Sequence, residues 1–196
     1  MEEPTGVDIN REAIMSNQSG IEIIDYDDKW EDCFLAIKDV IKATLGDLII
    51  GVEHVGSTSV KGLGAKPILD IDVIIDNYNF LPAVVKGLKV LGYYHQQEWN
   101  FMGREAFGRK DLSVPWKDRC TYWMEHHLYV CDKNSEELAR HLAFRNHLRS
   151  NSGAACEYTR LKKELARTAA DRTAYTNGKT AFINEILNKE WKTRGL

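Results

Sequence analysis

The sequence predicts an α/β domain in which a mixed β-sheet with one early helix is followed by a helical C-terminal third. Three observations lead to this prediction. Apolar residues recur at helical spacing near the start of the chain and again beyond about residue 134. Between these regions, short β-branched runs alternate with glycine-containing turns, which is typical of strands. No repeat, low-complexity tract or proline-rich break interrupts the chain, so residues 20–196 are expected to form one domain after a flexible, polar segment at 1–19.

Composition narrows the class of protein. The chain has 196 residues, of which 43% are hydrophobic, and a net charge of −3, so no global positive field favours nucleic acid as a partner. No apolar run approaches the roughly 20 residues that a membrane span requires, and the start of the chain does not resemble a signal peptide. The four cysteines form no C-x-x-C pair and are expected to be reduced thiols. We therefore expect a cytoplasmic protein that does not bind membranes.

The first half of the chain predicts one helix, two strands and a second helix. Asp28 is expected to cap a helix that runs to about Thr44 and ends at Gly46. Strands are predicted over 48–55 and 68–75, and a second helix over 78–91 ends at Gly92.

The second half predicts three strands and then three helices. The strands cover 93–99, 105–110 and 121–130 and are expected to be antiparallel. Asn134 and Glu137 match a capping box at the start of a helix that reaches about Arg149. Two further helices are predicted over 152–170 and 180–191.

Two aspartates on the second predicted strand are the most informative residues. Because side chains two apart on a strand share a face, Asp70 and Asp72 lie side by side while their apolar neighbours point into the core. Two adjacent like charges need a cation, a hydrogen-bond network or bulk water to relieve them. Mg²⁺ does this well, and it prefers a few carboxylates together with phosphate oxygens. An isolated D-x-D more often marks the wet face of a sheet, so its context decides.

A glycine- and serine-rich turn supplies that context. Gly56, Ser57, Thr58 and Ser59 follow a predicted strand, and 12 residues separate Ser57 from Asp70. Hydroxyls and backbone N–H groups at such a turn bind phosphate, with Lys66 near enough in sequence to add charge. The P-loop alternative fails because Ser57 occupies the lysine position and no long helix follows. A plain surface loop remains the other interpretation of this segment.

These residues resemble a known family. A Gly-Ser pair followed after a dozen residues by Asp-x-Asp is similar to the signature of the DNA polymerase beta-like nucleotidyltransferases. The whole pattern resembles the GrpB family within that superfamily. The matching strings cover, in order, residues 54–60, 65–72, 126–130, 140–145 and 174–180. The resemblance extends over about 21–191 and implies a short mixed sheet flanked by helices, with the cleft at the Gly-Ser turn and the aspartate strand.

The resemblance also implies an activity, the Mg²⁺-dependent transfer of a nucleotidyl group from a nucleoside triphosphate. Active members of the superfamily place a third carboxylate on a later strand. Here Glu125 could take that position, or a histidine could replace it, or it could be absent. His127 is the candidate base, because histidine titrates in a range suited to that work. A zinc site formed by His126, His127 and Cys131 is disfavoured because adjacent strand residues point to opposite faces.

Basic residues in the C-terminal third are candidates for phosphate binding. His141 and Arg145 lie one turn apart on a predicted helix and belong to a family string, although such a helix often has only a solvated charged face. Lys179 lies near a helix start, where it could reach phosphate or be plain surface. Arg104 and Arg109, on a predicted hairpin, are weaker candidates.

The predicted site consists of three sets of residues. Asp70, Asp72 and His127 are the catalytic candidates, and both aspartates are the candidate Mg²⁺ ligands. The candidate phosphate-binding residues are Gly56, Ser57, Ser59, Lys66, Arg145 and Lys179. Two alternatives to an enzyme stay open: a non-catalytic module that binds a nucleotide or coenzyme, linked to coenzyme A biosynthesis because GrpB domains resemble partners of dephospho-coenzyme A kinase, and an interaction domain with a relic cleft.

Overall fold

The computed structural model describes residues 20–101, 103–117 and 121–194. The predicted flexible segment, residues 1–19, lies outside them. Five strands form within this part of the chain: β1 (Gly51–Val55), β2 (Leu69–Ile75), β3 (Tyr93–Phe101), β4 (Arg104–Arg109) and β5 (His126–Asp132). Its α-helices are α1 (Lys29–Leu45), α2 (Leu81–Val90), α3 (Glu136–Ser150), α4 (Ser152–Thr168), α5 (Arg172–Gly178) and α6 (Thr180–Arg194). None of these helices is long and apolar enough to cross a membrane.

The strands form one mixed sheet in the order β1-β2-β5-β4-β3. Antiparallel pairing joins β1 to β2, β4 to β5 and β3 to β4, whereas β2 and β5 are parallel. The predicted fold class is confirmed, since a mixed sheet flanked by helices is followed by a helical C-terminal third. The expectation that the last three strands are antiparallel holds among themselves, but β5 also lies parallel to β2 at the centre of the sheet.

The apolar face of β2 anchors the main core. Leu69, Ile71, Val73 and Ile75 have no exposed surface and belong to a cluster that includes buried residues of α1 and α2. Each such buried aliphatic side chain contributes roughly 1.5–3 kcal/mol to folding. The opposite side of β2 bears the two aspartates, as strand alternation predicts.

Several element ends differ from the predictions. β1 begins at Gly51 because a 3-10 turn occupies Gly46–Leu48, and β5 begins at His126, five residues after its predicted start. The capping box is wrong: Ser135 is the N-cap of α3, and its side chain accepts a hydrogen bond from the Leu138 N–H. Asn134 instead donates its N–H to the Asp132 carboxylate. Helix α5 was not predicted, because its seven residues are too few to show a periodic pattern.

Candidate functional site

The Gly-Ser turn follows β1 directly and touches the aspartate strand. Gly56 has φ +69°, and a Cβ at this position would lie 2.1 Å from Asp70 Oδ2. Ser57–Ser59 form a 3-10 turn, in which the Ser59 hydroxyl donates to the Gly56 carbonyl at 2.6 Å. Only glycine both adopts this φ freely and leaves room for the carboxylate. Glycine at position 56 therefore allows the turn to pack directly against the Asp70 carboxylate.

Asp70 is paired with a histidine from the neighbouring parallel strand. The β2–β5 register sets Asp70 opposite His127, and His127 Nδ1 lies 2.9 Å from Asp70 Oδ1. About a third of the Asp70 side chain and half of the His127 side chain are exposed. Because the carboxylate accepts from Nδ1–H, the lone pair of the neutral imidazole is at Nε2. This arrangement holds the imidazole of His127 in a fixed orientation at the edge of the cleft.

The pKa of Asp70 reflects two opposing effects. Burial by itself raises the pKa of this carboxyl, whereas the hydrogen bond from His127 lowers it. The positive charges of His141 and Lys66 lower it further. The net result is a pKa below the ordinary value for aspartate, so Asp70 is an anion at neutral pH.

Asp72 is fully buried, and its negative charge is balanced by a histidine of the protein. Its Oδ2 lies 2.7 Å from His141 Nδ1, and His141 Nε2 lies 3.3 Å from Glu137 Oε1. Burial by itself lowers the pKa of His141, but the hydrogen bonds and charges of Asp72 and Glu137 raise it to about 9. His141 is therefore an imidazolium at neutral pH and donates from both ring nitrogens. The other oxygen of the buried carboxylate, Asp72 Oδ1, has no hydrogen-bond partner.

The strand that would bear a third carboxylate bears a histidine and a tyrosine instead. On β5, His127 is opposite Asp70 and Tyr129 is opposite Asp72. Glu125 precedes the strand, and its side chain lies 3.9 Å from the guanidinium of Arg109. It does not line the cavity at Asp70. His126 points to the other face, where its Nε2 lies 2.7 Å from the buried Tyr93 hydroxyl.

Beside Asp70 lies a cavity of about 360 Å³, which we call the lysine pocket. It lies between the sheet and the C-terminal helices. Its polar and charged lining residues are Ser57, Lys66, Asp70, His127, Tyr129, Lys162, Tyr175, Thr176 and Lys179. The lysine pocket therefore brings together five of the predicted site residues: Ser57, Lys66, Asp70, His127 and Lys179.

Three lysines converge on the lysine pocket, and two of them lie over the same aromatic ring. The Nζ atoms of Lys66 and Lys179 lie 5.3 and 4.5 Å from the centroid of the Tyr175 ring. Lys162 is 2% exposed, and its Nζ donates to the Gly64 carbonyl at 2.5 Å. Burial and the charge of Lys179 lower the pKa of Lys162 to about 7. Burial and the charge of Lys66 lower the pKa of Lys179 to about 8.

The structure places the other predicted residues outside the lysine pocket. Arg145 is buried and donates to Glu53 Oε2 at 2.6 Å and to the His54 carbonyl at 2.9 Å, so it supports β1 instead of facing this cavity. Ser59 faces the opposite side of the turn, where its carbonyl accepts from Arg149. Asp72 is fully buried and does not line the pocket. Arg104 stacks over the Tyr129 ring at 4.2 Å.

Sequence reasoning missed Lys162 and Tyr175. Lys162 belongs to the buried face of α4, together with Ala155, Tyr158 and Ala166. A lysine at helical spacing within an apolar stripe is the signal that could have singled it out, because buried lysines are rare. Tyr175 lies on the short helix α5, within the family string 174–180, which is the signal that could have singled it out.

Comparison with known proteins assigns the chain to a family. The family model described as GrpB protein matches residues 20–189. This chain belongs to the GrpB family. The glutamate-rich protein GrpB of Alkalihalophilus pseudofirmus is 30% identical over 175 residues, which cover 88% of this chain and 97% of that relative. The UPF0157 protein YqkA of Bacillus subtilis is 32% identical over 175 residues, and the chain spans about half of its length (48%).

Solved structures support the same fold for this GrpB protein. A GrpB crystal structure from Enterococcus faecalis aligns with a TM-score of 0.73 at 32% identity, covering 89% of this chain and all of that one. The GLD-2/RNP-8 complex aligns with a TM-score of 0.53 at 12% identity, covering 81% of this chain and 60% of that one, and it bears on the fold alone. A more distant relative, the dephospho-CoA kinase of Mycobacterium tuberculosis, is 24% identical over 192 residues, covering 87% of this chain and 46% of that protein.

Proposed function

We propose that this GrpB protein binds the phosphate groups of a nucleoside triphosphate in the lysine pocket and transfers a nucleotidyl group to an acceptor. One observation carries the proposal. Lys66, Lys162 and Lys179 converge on one cavity, and none of them forms an ion pair with a carboxylate in the described part of the chain. Three lysines gathered without a carboxylate partner favour an anion with several charges, and an oligophosphate supplies them.

The depressed pKa values of two lysines support an anionic ligand. Lys162 and Lys179 are held close to each other and to Lys66. Burial and mutual repulsion disfavour the charged forms of their ammonium groups. A bound oligophosphate removes that cost, because it restores a charged partner to each ammonium group. Ser57 lines the same cavity and adds a hydroxyl donor. The Gly-Ser turn and the lysines thus approach the phosphates from two sides.

In this proposal the aspartates hold a divalent ion through one oxygen each. Asp70 is partly exposed in the cleft, and Asp72 Oδ1 is a buried oxygen without a hydrogen-bond partner. Such oxygens are the ligands that Mg²⁺ prefers, together with phosphate oxygens. Asp70 and Asp72 would hold the ion, which when bound supplies positive charge against the phosphates. Asp72 Oδ2 is already engaged by His141, so this carboxylate offers only Oδ1.

His127 has the geometry of a base for the acceptor hydroxyl. Asp70 accepts a hydrogen bond from the Nδ1–H of His127, so Nε2 is the nitrogen that can accept a proton. About half of the His127 side chain is exposed in the cleft. In the proposed reaction the acceptor oxygen forms a bond to the α-phosphorus, pyrophosphate leaves, and the hydroxyl proton moves to His127 Nε2. The lysines hold the β- and γ-phosphates, which become the leaving group.

The first test is a thermal-shift and calorimetric titration of each nucleoside triphosphate, with and without Mg²⁺. A ligand at 100 times its Kd adds about 2.7 kcal/mol of stability, which raises Tm by roughly 5–10 °C. We expect this rise in the wild type and in Lys89→Gln, which removes an exposed lysine of α2. It should be lost in Lys66→Gln/Lys179→Gln. Release of pyrophosphate that disappears in Asp70→Asn would support transfer. A wild type that no nucleotide stabilises would overturn the proposal.

A second candidate is a nucleotide- or coenzyme-binding module without turnover, linked to coenzyme A biosynthesis. Two observations favour it: His141 already balances the charge of Asp72, and β5 supplies a histidine where active enzymes of this fold have a carboxylate. The dephospho-CoA kinase relative supports the coenzyme link. This candidate predicts that dephospho-coenzyme A or a triphosphate binds the lysine pocket and that no pyrophosphate is released.

A further inference from the structure

We propose that a second ligand site lies on the other side of the Gly-Ser turn and takes a small anion that carries a flat ring. The site is a cavity of about 310 Å³, which we call the turn cavity. Tyr26, Phe34, His54, Lys61 and Arg149 are the lining residues that carry the argument. The turn cavity shares no lining residue with the lysine pocket. The proposal therefore stands apart from the proposed function.

The turn cavity has an aromatic wall. The Phe34 ring stacks on the imidazole of His54, with centroids 4.7 Å apart and planes inclined by 16°, and each residue is 6% exposed. Tyr26 is partly exposed and is fixed edge-on against Trp30 at 5.2 Å. Tyr26 is the ring of this wall that keeps a partly open side, which suits it to contact a flat ring in a ligand.

The floor of the turn cavity offers an uncharged acceptor. The Thr58 hydroxyl donates to the Ile68 carbonyl at 3.3 Å, so its contact with His54 Nε2 at 3.0 Å requires His54 to be the donor. The lone pair of the imidazole is therefore at Nδ1. Burial lowers the pKa of His54 to about 4, which keeps the ring neutral at physiological pH. A neutral histidine can accept a hydrogen bond from a donor group of a ligand.

The rim of the turn cavity favours an anion. Arg149 donates from Nε and Nη2 to the Ser59 carbonyl, at 3.0 and 2.8 Å, and makes no ion pair with a carboxylate within the residues the structure describes. Lys61 has only a distant partner, Asp28 at 3.8 Å, and both side chains are about 85% exposed, so that pair contributes little. Glu31 is the carboxylate of the lining. Lys61 and Arg149 are thus two lining cations that no carboxylate engages closely, so both are available to an anion.

A neighbouring cavity gives the anionic group room beyond the ring. This smaller space, about 270 Å³, shares Lys61 and Arg149 with the turn cavity and reaches Ser152 at the start of α4. The two cations thus stand between the ring wall and this space. An anionic group between them would leave its ring against Tyr26 and Phe34, which is why we name a ring-bearing anion and not an anion alone.

The test uses phenyl phosphate, with inorganic phosphate and phenol as the two halves of the same molecule. Titration calorimetry is done on the full chain carrying Lys66→Gln and Lys179→Gln, so that the lysine pocket no longer competes for the phosphate. We expect one site, with phenyl phosphate at least tenfold tighter than either half. Adding Lys61→Gln should weaken phenyl phosphate at least threefold, and Tyr26→Leu should remove its advantage over inorganic phosphate. Adding Lys89→Gln, an equal charge change on α2, should leave it unchanged.

Three results would overturn the inference: no binding of phenyl phosphate, equal binding of phenyl and inorganic phosphate, or binding that Lys61→Gln does not alter. Lys61 is exposed, so Lys61→Gln folds even where Tyr26→Leu does not, and it decides the question by itself. The proposed function is tested separately by tripolyphosphate binding to the wild type, which depends on Lys66 and Lys179. Either proposal can therefore fail while the other stands.

Discussion

His141 Nδ1 lies 2.7 Å from Asp72 Oδ2, which makes a histidine of α3 the counter-charge of a carboxylate with no exposed surface. Glu137, one turn earlier on the same helix, holds the other ring nitrogen at 3.3 Å. The charged centre beneath the cleft is thus a carboxylate–imidazolium–carboxylate chain. It joins the sheet to the C-terminal helices across 69 residues of sequence.

Replacement of His141 by leucine should destabilise the protein strongly. Leucine has a similar volume but leaves Asp72 buried without a donor, which typically costs about 3–5 kcal/mol. Urea unfolding measures the loss. Adding Asp72→Asn should recover part of it, because the unpaired charge is then gone. A loss below about 1 kcal/mol for His141→Leu would show that Asp72 does not depend on this partner.

The same pair predicts a pH dependence. The pKa of His141 is raised from 6.5 to about 9 on folding, so its contribution is fully present below about pH 6.5 and declines as pH rises through 9. The difference in unfolding free energy between the wild type and His141→Leu should therefore shrink over this range. Urea unfolding at several pH values measures it, and a constant difference would contradict a charged His141.

The close approach of Gly56 to Asp70 gives a matched pair of alanine variants. Gly56 and Gly62 both have positive φ, +69° and +79°, but a Cβ at Gly62 meets nothing within 4 Å whereas one at Gly56 meets the Asp70 carboxylate. Gly62→Ala should cost about 1–2 kcal/mol for the backbone alone. Gly56→Ala should cost more and abolish triphosphate binding, since it displaces Asp70 or the turn. Equal effects of the two variants in unfolding and binding assays would show that the contact does not matter.

Lys162 is predicted to lower the unfolding free energy of the unliganded protein while it contributes to ligand binding. Its pKa is near 7 in the fold and 10.5 in the unfolded chain, so between these values the unfolded state binds more protons and stability rises with pH. Lys162→Met removes the cost of the buried charge. The unfolding free energy of the variant should exceed that of the wild type by most below pH 7, and this difference should shrink towards pH 10.5. Lys163→Met, which removes an exposed neighbour, should show no such trend in urea unfolding.

Oligophosphate binding should take up protons at pH 8. At this pH Lys162 is largely neutral and Lys179 is about half protonated, and a bound polyanion favours the charged forms of both. Affinity should consequently fall between pH 7 and 9. Calorimetry with tripolyphosphate in Tris and in HEPES measures the uptake, because the two buffers release protons with different heats. Identical heats in both buffers would contradict it.

The sequence predicts those parts of the site that lie within one element. Strand alternation correctly set Asp70 and Asp72 on the face opposite the apolar residues of β2, and it separated His126 from His127. The contacts that bring these residues together into one site join elements that are distant in sequence. Alternation contains no information on which strand lies next to β2, so the pairing of Asp70 with His127 was not predicted.

Arg145 shows why a family string does not fix a role. The resemblance made it a candidate for phosphate, and its spacing from His141 is correct for a shared helix face. In the structure the guanidinium reaches Glu53 on β1, a contact 92 residues away in sequence. Helical spacing predicts neighbours on one helix, whereas the docking of α3 on the sheet decides which strand each side chain meets.

The parallel pairing of β2 and β5 has a consequence for how the chain folds. The two strands at the centre of the sheet are separated in sequence by α2 and the β3–β4 hairpin, so Asp70 and His127, 57 residues apart, meet only after a long loop has closed. Such distant contacts slow folding relative to helical proteins of similar size. During synthesis, the aspartate strand leaves the ribosome well before its partner strand and before Lys162 and Lys179. The binding cleft is therefore expected to be among the last parts of the molecule to become native.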